Sequence, residues 1–155
     1  MADLKARLRT DLAAAIKSRE TTRMASLRMA LAAITTEEVS GDAARELTDL
    51  EVERVLNREV KKRREAAEAF DGAGRTDQAQ AERDEAAVLI GYLPKPLDDA
   101  ELDKLVDQAV AEVTEQLGQA PGQRQMGQVM KAANARVAGR ADGGRVAAAV
   151  RGRLQ

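Results

Sequence analysis

Tyr92-Leu93-Pro94-Lys95-Pro96-Leu97 carries two prolines in three residues, and no helix passes through such a stretch. On both sides of it the apolar residues recur at spacings of three and four, the helical period. The chain is therefore expected to divide here. An N-terminal helical domain would span 1–93, a semi-rigid proline linker 94–97, and a C-terminal domain 98–155. Composition fixes the class. Phe70 and Tyr92 are the whole aromatic complement, while Ala, Leu, Glu, Arg and Gln abound. These residues favour helix over strand. An all-α fold follows: an N-terminal helical domain with a long helical hairpin, plus a small C-terminal three-helix bundle.

Leu4, Leu8, Leu12 and Ile16 predict a first helix over about 2–18, with Lys5, Arg7, Arg9 and Lys17 beside or opposite the stripe on a solvated face. Met24, Leu27, Leu31 and Ile34 mark a second, over about 21–39, with Met24 and Met29 as gap-fillers. Thr48-Asp49-Leu50-Glu51 has the capping-box form, with Leu47 and Val52 placed as a hydrophobic staple. The third helix continues through Val52, Val55, Leu56 and Val60. Lys61-Lys62-Arg63-Arg64 looks like a nucleic-acid patch. Pairs at i,i+4 (Glu59–Arg63, Lys61–Glu65, Arg64–Glu68) read better as an ordinary salt-bridged surface. After the Asp71–Gly74 turn, Ala79, Ala86, Leu89 and Ile90 face inward on a fourth helix, antiparallel to the third. Beyond the prolines, Asp98 and Glu101 form a second capping box. Leu102, Leu105, Val106, Ala109, Val110, Val113 and Leu117 give the fifth helix a face broad enough for two partners, ended by Gly118. Met126, Val129, Met130 and Ala133 mark the sixth helix. Val146, Val150 and Leu154, after an Asp142 cap, mark the seventh.

Missing residue types exclude much chemistry. With no cysteine and no histidine there are no disulfides, thiolate zinc sites, imidazole metal sites, Ser-His-Asp triads or Cys-His pairs. No glycine-rich phosphate loop appears, and Ser18, Ser26 and Ser40 sit in no nucleophile elbow. Asp98, Asp99, Glu101 and Asp103 cluster, but capping explains them. No catalytic residue, metal or cofactor is expected. No apolar run is long enough for a membrane span and the N-terminus lacks a signal-peptide core, so a cytoplasmic location is expected.

The net charge of −1 hides a segregated distribution. Residues 1–30 carry +4, residues 98–123 carry −6, and residues from Arg124 onward carry seven bases against Asp142 alone, +6. Phosphates are held by basic side chains, backbone N–H groups and helix N-termini. The turn between the last two helices offers all three. Arg124, Lys131, Arg136, Arg140 and Arg145 are the expected phosphate contacts, with Gly143 and Gly144 giving close backbone access. The scarcity of aromatics points away from base stacking and towards the shape and phosphates of folded RNA.

Gln125-Met126-Gly127-Gln128-Val129-Met130-Lys131 and Gly139-Arg140-Ala141-Asp142-Gly143 resemble the GatB/YqeY domain. That domain is the helical tail of the B subunit of tRNA-dependent amidotransferase and the C-terminal half of free-standing YqeY-like proteins. Ser26–Met29, Glu59–Arg63, Ala69-Phe70, Ala73–Asp77 and Tyr92–Leu97 resemble the other blocks of the free-standing form, in order, over nearly the whole chain. Ala135, Ala138 and Gly144 depart from it, standing where proline, lysine and lysine are common. The resemblance implies a helical domain followed by a three-helix tail that holds tRNA. It also implies an association with carbon–nitrogen ligase activity using glutamine as amido donor. Three readings follow: a non-catalytic protein binding tRNA or a tRNA-handling enzyme; a protein–protein adaptor without nucleic-acid binding; and a glutamine-dependent or hydrolytic enzyme.

Overall fold

Helix formers fill the chain between its glycine and proline breaks, and the computed structural model, which describes residues 2–154, accordingly contains seven α-helices. They are α1 (Asp3–Ser18), α2 (Thr21–Glu38), α3 (Asp49–Gly72), α4 (Thr76–Ile90), α5 (Asp99–Leu117), α6 (Met126–Val137) and α7 (Gly143–Arg151). A 3-10 turn, Gln123–Gln125, precedes α6, and no strand occurs among the described residues. Two compact units result, Met1–Leu93 and Pro94–Gln155.

In the first unit α3 and α4 form the expected hairpin. Thr48 Oγ1 accepts from the Glu51 N–H at 3.2 Å and Glu51 returns the bond to the Thr48 N–H, so the capping box is complete. The hairpin turns through Gly74 at φ +74°, a left-handed conformation that glycine adopts without a Cβ clash, and an ion pair between Arg83 and Asp71 spans it. Helix α2 packs against α1, α3 and α4. Its small residues Ser26 and Ala30 are fully buried, and Ser26 Oγ donates to the Glu85 carbonyl of α4 at 2.7 Å. Leu8, Leu27, Ile34, Val52, Leu56 and Leu89 fill the core.

Predicted positions shift on all four helices. Ile16 is 45% exposed, and Lys5 and Ala15 are buried in its place. A strict four-residue repeat drifts about 40° per step around a helix, so Ile16 lies about 120° from Leu4. The face that closes is Lys5, Leu8, Leu12 and Ala15, at spacings of three, four and three. Lys5 is not solvated: its Nζ donates to Glu38 at 2.6 Å in a buried pair joining α1 to α2. Met29, expected as filler, is half exposed, with its Sδ 3.1 Å from Arg63 Nη2, and Ile90 also faces out. Arg63, read as surface, is buried. Its guanidinium lies 3.7 Å from Glu59 and 3.2 Å from Glu85, a carboxyl that burial pushes above the usual range. Lys61 pairs with Glu65 as expected, whereas Arg64 makes no ion pair with Glu68.

The unit ends in a cluster absent from any spacing argument. The Tyr92 hydroxyl donates to Asp11 and accepts from Arg23 Nη2 at 3.1 Å, while Arg7 lies 4.7 Å above the ring. Burial, then the bond to Asp11, push the Tyr92 phenol up to about 12. Because the folded state binds this proton more tightly, its stabilisation is complete below about pH 10, the unfolded value, and disappears as pH rises through the folded one. Absorbance titration of the single tyrosine should show that late midpoint, against one near 10 in denaturant. Replacing Arg63 with alanine leaves Glu85 without its countercharge and Glu59 with Lys62 alone, and should cost the first unit about 3 kcal/mol in denaturant unfolding.

Candidate nucleic-acid interface

The second unit is built on α5. Its capping box is complete, with the Glu101 N–H donating to Asp98 at 2.7 Å and Glu101 accepting from the Asp98 N–H at 3.0 Å. Leu102, Val106, Ala109 and Val113 form a buried ridge that meets Val129, Ala133 and Val137 of α6 and Val146 and Val150 of α7. The broad face thus serves two helices. Leu117, expected to face inward, is 38% exposed, one turn beyond that ridge. Gly118 ends α5 at φ +74°. The stretch expected as a linker finishes inside this core: Leu97 is buried, and its N–H donates to the Arg140 carbonyl at 2.8 Å.

That bond fixes the turn between α6 and α7. Ala138 at φ +51° and Gly139 at φ +80° stop α6. The Asp142 carboxylate then accepts from the Arg145 N–H at 3.0 Å and starts α7. The amides of Gly143 and Gly144, earlier in the same turn, have no intrahelical acceptor. Both glycines are exposed, and a Cβ placed on Gly143 would meet nothing within 4 Å.

The predicted basic residues divide into two groups. Arg136 donates to Glu112 at 3.1 Å and to Gln108 at 3.2 Å. Arg145 pairs with Asp99 at 3.0 Å. Arg153, outside the predicted set, pairs with Asp107 and with Asp103; the bond to Asp107 raises its pKa further. The −6 segment and the +6 segment therefore meet within one unit, and Asp99, Asp103 and Asp107 at i,i+4 spacing were the visible sign of it.

Arg124, Lys131 and Arg140 make no ion pair among the described residues, nor does Arg151, which sequence reasoning left out of the site. Arg124, in the 3-10 turn that precedes α6, and Lys131, on α6, are both exposed. Arg140 is half-buried, with its Nε donating to the Val137 carbonyl at 3.4 Å. The carboxylate cluster that opens α5 is occupied in caps and ion pairs. Among the described residues no group of His, Cys, Asp and Glu is placed to hold a metal ion, and no helix is long and apolar enough to cross a membrane.

The family model for Yqey-like protein matches residues 5–154. The chain belongs to the YqeY-like family. It is also similar to an uncharacterized protein, C22F3.15, of Schizosaccharomyces pombe, at 34% identity over 93 residues, covering 60% of this chain and 74% of that one. In this YqeY-like chain the α6–α7 turn depends on the Asp142 cap. Asp142→Ala should lower the stability of the second unit by about 1 kcal/mol in thermal or denaturant unfolding.

Proposed function

We propose that this YqeY-like protein is a non-catalytic RNA-holding protein whose C-terminal unit contacts the phosphates of tRNA, alone or beside a tRNA-handling enzyme. One observation carries the reading. Arg124, Lys131 and Arg140 stay without carboxylate partners although α5 supplies acids enough to neutralise three neighbouring arginines. Next to Arg140 the exposed Gly143–Gly144 turn adds backbone donors of the kind that bind phosphate. The ring of Tyr92 is buried under Arg7 and Phe70 is half-buried, so stacking platforms are scarce and recognition rests on charge and shape. Ligase chemistry with glutamine as amido donor is, on this reading, an association of the family and not an activity of this chain.

A second reading, an adaptor that docks helices of a partner protein, draws on Ile16, Met29 and Val39, which α1 and α2 leave 45%, 50% and 59% exposed or beside their ends. Titration against tRNA and a duplex DNA of similar length, at two salt concentrations, separates the two. The RNA reading expects tighter, salt-dependent binding to tRNA. It also expects the slope of log K against log salt to fall by about one for each of Arg124→Ala, Lys131→Ala and Arg140→Ala. Unchanged affinity and slope in the triple variant would sink it, and salt-insensitive capture of protein from nuclease-treated lysate would favour the adaptor.

A further inference from the structure

The three arginines that α5 neutralises are not held alike. Arg153 faces two carboxylates and also donates to the Ala149 carbonyl at 2.9 Å. Arg136 has Glu112 and Gln108 together. Arg145 has Asp99 alone, through a single Nη2–Oδ1 contact of 3.0 Å, and the Asp99 side chain is 96% exposed. A one-point ion pair in water is weakly held, because both groups are almost as well solvated apart. A phosphate offers the same guanidinium two oxygens, and a polyphosphate chain brings several charges at once.

We infer that Asp99 is a specificity-determining residue of this surface: it occupies Arg145 and yields it only to a ligand of high phosphate density. This rests on the phosphate-binding reading and adds a division of labour to it. Arg124, Lys131 and Arg140 make the first, unconditional contacts. Arg145 joins when a neighbouring phosphate displaces the Asp99 carboxylate, and Arg136 and Arg153 remain structural. Small or singly charged anions do not recruit Arg145.

A double-mutant cycle on the full chain tests this, with Asp99→Asn, Arg145→Ala, both together, and Glu115→Gln as control. Glu115 is an exposed acid of the same helix with no ion pair, so its loss changes net charge without freeing an arginine. The probes are tRNA and inorganic tripolyphosphate, and circular dichroism confirms that each variant folds. Asp99→Asn is expected to tighten binding about two- to fivefold, the range set by breaking one exposed pair, and the gain should vanish when Arg145 is alanine. Glu115→Gln should give a smaller gain that ignores Arg145. Equal gains in the two single variants, or a gain from Asp99→Asn that persists without Arg145, would overturn the inference and leave tRNA binding untouched. If tRNA binds no variant while the Arg145-dependent gain holds for tripolyphosphate, the RNA reading falls and the role of Asp99 stands.

Discussion

A core almost without aromatic rings closes only if helix backbones come close together, and most of this structure follows from that constraint. Ser26 Oγ reaches a main-chain carbonyl of α4, and Ala30 and Ala86 are buried in the same core. In the second unit Ala109 and Ala133 stand among valines in the same way. Small side chains give up the area that larger ones would bury and gain dense backbone-to-backbone contact in return. Close approach also narrows the room for water, so charged residues on these faces must find partners within the protein. Lys5 with Glu38, and Arg63 with Glu59 and Glu85, are the result.

Helix number, both capping boxes, the hairpin and the α7 cap were legible in the sequence because each rests on local rules. The errors share one cause. Counting hydrophobic residues misses a buried position filled by an ion pair and leaves it to solvent, as at Lys5 and Arg63. Ile16 and Ile90 show the converse, being apolar without lying on the closing face. The Tyr92 cluster joins α1, α2 and the end of α4 over more than eighty positions, a separation at which periodicity carries no information.

The candidate surface was legible as a charge excess but not as a geometry. Opposite charges in adjacent segments say that the segments attract, and only packing shows which bases are consumed. Arg136 and Arg145 face α5 because the apolar ridge sets the rotation of α6 and α7. Lys131 faces away for the same reason, and Arg124 stands exposed on the turn before α6. The residues that specify the bundle's packing thus also decide which cations stay without an acidic partner.

The tight turn at Ala73–Arg75 has a kinetic consequence. It joins the two helices of the hairpin through a few residues, so their contacts form with little loop-closure entropy to overcome. Helical proteins dominated by such short-range contacts fold in microseconds to milliseconds. The link from Tyr92 to Asp11, by contrast, must wait for nearly the whole first unit to be synthesised. During synthesis the emerging α1 and α2 therefore have each other but not the hairpin, and the hairpin that completes them is among the quickest parts of the chain to assemble.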